Sequence, residues 1–184
     1  FPKAGLRKEM AAWLDEARSL ADGAGLDTAV VSTGGSPDMW QDEGLDHVDE
    51  YRAGTYIYFD RSLAERRTCT YDDCAVTVLA TVVSTPVPQR AMIDAGSKSL
   101  TSDLLGLSGY GTIRSLGGAP VYDLSEEHGF VDVSDSPAKP RVGDRVRVVP
   151  NHVCPVINLF DRVVFVDGQE VLGAVRIDAR GLVQ

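Results

Sequence analysis

The sequence predicts an α+β chain in which the end of a (β/α) barrel is followed by an antiparallel β-domain, a sandwich or a barrel. Three observations carry that expectation. The chain opens with an amphipathic helical period that leads through a β-branched run into a glycine turn. From Ala75 onward the helical period gives way to short strand-like runs separated by turn signals. No internal repeat is evident, and the one linker-like stretch is the proline-rich segment 135–141. The expected domains are 1–47, a barrel remnant ending in the turn and its following loop, and 48–184, the β-domain.

Residues 6–21 place Leu6, Met10, Trp13, Leu14, Ala17 and Leu20 at helical spacing, and Gly23 and Gly25 are the expected stop. Thr28-Ala29-Val30-Val31-Ser32 suits a buried parallel strand, followed by the turn Thr33-Gly34-Gly35-Ser36-Pro37. A polar acidic loop, 41–46, precedes Val48–Asp60, whose aromatic second half reads as a strand with Gly54 marking a bulge or a close backbone approach. In the β-domain, strands are expected at 75–84, 90–94, 119–122, 129–133, 144–149, 162–166 and 170–180. Asp167-Gly168 is the hairpin turn joining the last two.

The 184 residues carry a formal net charge of −9, and no apolar run is long enough to span a bilayer as a helix. Scattered Lys and Arg on an acidic chain argue against nucleic acid or an anionic membrane as partner, since both reward clustered cations. Three cysteines, Cys69, Cys74 and Cys154, with no signal peptide in view, fit reduced thiols in a cytoplasm better than a disulfide framework. The chain starts at Phe1 and enters a helix almost at once, which leads us to expect the C-terminal part of a longer polypeptide.

The chemistry concentrates in Pro150-Asn151-His152-Val153-Cys154-Pro155. In an extended segment side chains two apart share a face, so His152 and Cys154 are a candidate half-site for one ion, and a thiolate in the pair favours Zn²⁺ over Mg²⁺. The plainer alternative is a buried small Cys beside a hydrogen-bonded loop His. The turn Thr33-Gly34-Gly35-Ser36 offers backbone N–H groups to a phosphate, or is simply a turn. Tyr56 is a candidate phosphate contact or a core aromatic. Lys98 is read as an ion-pair or interface residue; His128 is an acid, a base, a supporting group or part of a turn; His47 is solvated.

Several of these segments resemble, in order, those of the D-serine dehydratase and D-threonine aldolase family, the metal-activated fold-type III pyridoxal phosphate enzymes of alanine-racemase-like fold. They are the glycine turn, Glu50-Tyr51-Arg52-Ala53-Gly54-Thr55-Tyr56 with Ala53 where the family has proline, Asp94-Ala95-Gly96-Ser97-Lys98, Glu126-Glu127-His128-Gly129, and Pro150–Asp161. The family's metal pair is His-x-Cys in dehydratases and His-x-Asp in typical aldolases, so His152 and Cys154 side with the dehydratases. The resemblance implies pyridoxal 5'-phosphate held by Thr33, Gly34, Gly35, Ser36 and Tyr56, and Zn²⁺ or another divalent cation on His152 and Cys154. It implies a homodimeric lyase that removes water from a β-hydroxy D-amino acid to give a keto acid and ammonia. The Schiff-base lysine of this fold lies near the start of the barrel, and Lys3, Lys8, Lys98 and Lys139 do not supply it, so no catalytic residue is assigned and the chain alone is expected to be inactive. A D-threonine aldolase-type retro-aldol lyase, or a non-catalytic metal-binding β-domain, are the competing readings.

Overall fold

The computed structural model describes residues 6–40 and 48–182. The expected acidic loop, His47 and Lys3 lie outside the described residues. The chain divides into two compact units, Phe1–Ile57 with Leu63–Thr70, and Tyr58–Ser62 with Tyr71–Gln184.

In the first unit, α1 (Leu6–Gly23) follows the predicted period. Gly25 adopts a left-handed φ of 74°, and the Leu26 N–H returns to the Ala21 carbonyl, closing the helix end. Ala11 is buried, whereas Trp13 and Leu20 on the expected apolar stripe stand open. The parallel strand is much shorter than predicted. Only β1 (Ser32–Thr33) pairs, with β2 (Glu50–Tyr51), and Val30 is exposed rather than buried. The reason lies in two aspartates: Asp27 accepts the Ala29 N–H and Asp49 accepts the Val31 N–H, taking donors that a longer ladder would need.

The aromatic stretch after Gly54 is not a strand either. Residues Thr55–Ile57 form a single 3-10 turn closed by the Ile57 N–H on the Gly54 carbonyl, while the Tyr56 N–H goes to the Ser36 hydroxyl. Both donors are satisfied locally, so neither is left for a sheet. The short helix α2 (Arg61–Glu65) follows.

The second unit contains a closed six-stranded barrel. Its strands are β3 (Val78–Val87), β4 (Arg90–Ile93), β5 (Gly111–Ile113), β6 (Ala119–Leu124), β7 (Gly129–Asp132) and β8 (Arg145–Pro150), in the order β3-β4-β7-β6-β5-β8. All pairings are antiparallel, and β8 returns to β3 through Val78↔Val148 and Thr81↔Arg145. Alternation decides what fills the inside: Val78, Ala80 and Val82 of β3 meet Ala91 and Ile93, Val121, Val131, and Val146 and Val148 in one buried cluster. Small and β-branched side chains suit so narrow an interior. Closure removes sheet edges, which resolves the predicted sandwich or barrel in favour of the barrel.

Strand β5 was not predicted. It is three residues long in a glycine-rich stretch, and its Gly111 is required by close approach: a Cβ there would lie 2.7 Å from Val148 Cγ1 and 3.0 Å from the Val149 carbonyl. The helices α3 (Ser97–Leu100) and α4 (Val153–Leu159) each bury residues, Leu100 in the first and Val153 and Val156 in the second. The last hairpin, β9 (Arg162–Asp167) and β10 (Glu170–Arg176), turns at Gly168 as predicted and forms a separate two-stranded sheet. Strand β10 ends before the predicted Arg180, whose guanidinium instead pairs with Asp161 at 3.1 Å. Among the described residues no helix is long and apolar enough to cross a membrane.

Candidate metal centre and phosphate turn

The glycine turn is built by β1 and β2 and the residues that follow each. Gly34 has φ 117°, and a Cβ at this position would sit 2.8 Å from the Arg52 nitrogen and 2.9 Å from the Tyr51 ring, so no other residue fits. The Arg52 N–H binds the Thr33 carbonyl at 2.8 Å. Tyr51 latches the turn from the side: its hydroxyl lies 2.8 Å from the Gly35 carbonyl and 3.1 Å from Asp38 Oδ1. Ser36 is buried and accepts the Tyr56 N–H at 3.1 Å, which brings together two of the residues predicted to serve one ligand. The Tyr56 ring itself is exposed, not in a core. Thr33 Oγ1 faces Met10 Sδ at 3.9 Å.

At the end of β8 the chain passes through Asn151 and His152 into α4. The sequence argument assumed an extended pair, but only His152 is extended (φ −137°, ψ 102°); it caps α4, and Cys154 lies in that helix's first turn, exposed. Strand alternation therefore does not govern where the thiol points. The His152 Nδ1 lies 2.8 Å from Asp103 Oδ2, and since a carboxylate only accepts, the imidazole donates Nδ1–H.

Beneath this pair is a buried polar frame. Asn151 is fully buried; its amide donates to the carbonyls of Asp103 (3.0 Å) and Gly109 (2.8 Å), and its oxygen accepts from Arg61 (2.9 Å). Arg61 also donates to the Ser108 carbonyl at 2.9 Å. Asp60, likewise buried, accepts the Val153 N–H at 3.0 Å and the Ser62 hydroxyl at 2.7 Å. Each of these polar atoms costs free energy if left unpaired, so the frame fixes the backbone on both sides of His152. Sequence reading missed Asp60, Arg61, Asp103 and Tyr51 as supporting residues. The only available signals were an Asp-Arg pair closing an aromatic run and a Thr-Ser-Asp step in a loop.

The remaining motifs bind neighbouring segments of the barrel unit. Lys98 pairs with Glu127 at the surface, and that hydrogen bond and charge raise the ammonium above its ordinary pKa, opposite to what a nucleophilic lysine needs. The Ser97 and Lys98 N–H groups donate to the carbonyls of Ser125 and Glu126, and a Cβ on Gly96 would lie 2.3 Å from the Ser125 oxygen. Two segments of the sequence pattern thus dock on each other. His128 belongs to the β6–β7 turn, its backbone exchanging hydrogen bonds with Ser125. Among the described residues no three His, Cys, Asp or Glu side chains converge as a metal cluster.

Fold and geometry together define a closed antiparallel β-barrel domain carrying a histidine and a thiol just after strand β8. The chain belongs to the family described as "Putative serine dehydratase domain", whose model matches residues 75–166, half of its length. It is 32% identical over 165 residues to the D-threo-3-hydroxyaspartate dehydratase of Delftia sp. (strain HT23), covering 80% of this chain and 43% of that protein. Solved structures of D-threo-3-hydroxyaspartate dehydratase superpose with a TM-score of 0.79 for a His-to-Ala mutant and 0.77 for a Cys-to-Ala mutant in the metal-free form, at 27% and 28% identity, each covering 96% of this chain and about half of the other. The D-threonine aldolase of Arthrobacter sp is 31% identical over 163 residues, 86% of this chain and 41% of that enzyme. An Ala racemase-like protein from Idiomarina loihiensis shares the fold at a TM-score of 0.68 and 27% identity, covering 80% of this chain and 43% of that one. The chain spans less than half the length of the curated dehydratase and aldolase.

Proposed function

We propose that the whole protein is a pyridoxal 5'-phosphate- and metal-dependent lyase that removes water from a β-hydroxy D-amino acid, giving a keto acid and ammonia. The observation that carries this reading is the His152 ring, held at Nδ1 by Asp103 with a thiol two residues on. The donor chemistry fits a divalent cation: an imidazole whose Nδ1 is engaged by Asp103 offers Nε2, and with the exposed thiol it suits Zn²⁺. The turn fits a phosphate: Gly35 leaves room where a Cβ would meet only Pro37 at 3.5 Å, and Ser36, having accepted from Tyr56, keeps its hydroxyl proton to donate. The two altered positions in the solved D-threo-3-hydroxyaspartate dehydratase mutants, one His and one Cys, stand two apart, the spacing of His152 and Cys154.

When bound, pyridoxal phosphate supplies an electron sink for the Cα carbanion and the cation a Lewis acid for the departing hydroxyl. The chain's own residues have narrower tasks. Thr33, Gly34, Gly35, Ser36 and Tyr56 hold the cofactor phosphate. His152 and Cys154 hold the ion with only two protein donors, leaving positions for the substrate's hydroxyl and carboxylate. The covalent lysine is assigned to a segment outside this chain, since Lys98 is committed to Glu127 and carries a raised pKa. The same reading makes the whole protein a cytoplasmic homodimer. A retro-aldol outcome is the second reading, favoured by the similarity to the D-threonine aldolase.

Product analysis tests this directly. The whole protein, loaded with pyridoxal phosphate and Zn²⁺ and given D-serine, D-threonine or D-threo-3-hydroxyaspartate, should release ammonia and a keto acid. Glycine plus an aldehyde would replace the dehydratase reading with the aldolase one, and neither product set would refute both.

A further inference from the structure

We infer that Asp103 is a positioning residue of the metal centre: its carboxylate holds the Nδ1 edge of His152 and so assigns Nε2 as the nitrogen that ligates the ion. The inference rests on the metal reading above and adds to it a residue 49 positions away that no motif marks. A neutral imidazole has one N–H donor and one lone pair, and an acceptor-only carboxylate on Nδ1 fixes which nitrogen is which. A carboxylate behind a metal-bound histidine fixes the ring's tautomer and orientation in this way.

What separates this pair from an ordinary surface contact is how firmly Asp103 is placed. Asn151 and His152, consecutive in the chain, grip it at two points, Asn151 at the backbone carbonyl (3.0 Å) and His152 at the carboxylate (2.8 Å). Asn151 is fully buried and is braced in turn by Arg61 and the Gly109 carbonyl. The loop that delivers Asp103 also departs from relaxed geometry: Thr101 and Leu105 both have left-handed backbones (φ 63° and 48°), rare for any residue other than glycine and most of all for a β-branched one. A loop held in that form and tied at two points presents one carboxylate to one ring nitrogen. Surface ion pairs of long, free side chains show none of this.

The test uses the whole protein with Co²⁺ and Zn²⁺ as probes, together with ¹⁵N NMR of selectively labelled histidine. Co²⁺ bound through Cys154 gives a thiolate charge-transfer band, and Zn²⁺ competition gives the affinity. Asp103→Ala should weaken Zn²⁺ binding by about 10–100-fold and shift the metal-free, neutral His152 ring from the Nδ1–H to the Nε2–H tautomer, while Asp103→Glu should recover part of both. Unchanged affinity and tautomer in Asp103→Ala would overturn the inference and leave the metal reading standing. If the parent protein takes up neither ion, the metal reading fails and this proposal with it. Should Asp103→Ala fail to fold, the parent protein still decides: an Nε2–H tautomer there contradicts the proposal without any variant.

Discussion

The glycine turn and the His152 centre differ in the reach of the contacts that build them. The side-chain bonds that latch the turn are shorter in reach: Tyr51 to Gly35 and Asp38, Tyr56 to Ser36 and Arg52 to Ser32 span 13 to 20 residues, and the longest, Thr68 to the Pro37 carbonyl, spans 31. Those beneath His152, apart from the local Ser62–Asp60 bond, span 42 to 93 residues and draw on the end of β8, α2 and the loop around Asp103. The turn is local chemistry that a short stretch of chain specifies. The His152 centre, by contrast, is assembled from Asp60, Asp103 and Asn151, which lie far apart in the chain and meet only in the folded second unit. Damage should therefore spread differently from the two sites.

The largest effect is expected from Asn151→Leu, which keeps the branched heavy-atom skeleton but removes the donor from the Asp103 and Gly109 carbonyls and the acceptor from Arg61. With buried polar groups each costing about 1–3 kcal/mol when orphaned, the barrel should lose about 3 kcal/mol or more, read by chemical denaturation. Metal uptake should fall with it. A variant of parent stability would show that the frame beneath His152 contributes little.

Gly34→Ala comes next. A left-handed backbone and a Cβ 2.8 Å from the Arg52 nitrogen should cost about 1–3 kcal/mol, confined to the first unit. Proteolysis around the turn should rise and cofactor retention drop, while Co²⁺ binding stays at the parent level. Loss of both ligands would break the distinction between a local site and one assembled from distant parts of the chain. Tyr51→Phe removes only the hydroxyl latch and should cost about 1 kcal/mol, again with metal binding intact.

The smallest effect is on acid stability. The Ser134 hydroxyl, then its backbone N–H, hold the Asp132 carboxyl below its ordinary pKa. A depressed folded pKa contributes stability that is present above the unfolded Asp value of about 3.9 and is lost as pH falls through the folded one. Ser134→Ala should therefore lower stability slightly near neutrality, and the difference from the parent should vanish as pH falls through the folded Asp132 value, read by chemical denaturation across that range.

The same difference in reach explains what the sequence made legible. Strands with an alternating buried face, such as Val78-Leu79-Ala80-Thr81-Val82 and Arg145-Val146-Arg147-Val148, announce themselves because period two survives in any barrel. Strand β5 did not, since glycines around three buried residues look like a loop. Residues 28–31 and 56–59 misled because their β-branched and aromatic composition was outweighed by side-chain acceptors, Asp27, Asp49 and Ser36, that claimed the backbone donors. His152 and Cys154 stand out as residue types in a short frame of prolines. Asp103, Asp60 and Arg61 do not, because nothing in a linear string signals a partner 49 or 90 residues away.

In the proposed function, elimination depends on an ion held by His152 and Cys154. One comparison tests it: the whole protein and its Cys154→Ala variant, both loaded with pyridoxal phosphate and Zn²⁺, assayed for keto acid from D-threo-3-hydroxyaspartate, with bound cofactor and metal measured on the same samples. The account predicts stoichiometric metal and turnover in the parent, and in the variant normal cofactor content with metal and keto acid formation lost. A variant that keeps its cofactor, carries no metal and still turns over at the parent rate would contradict it.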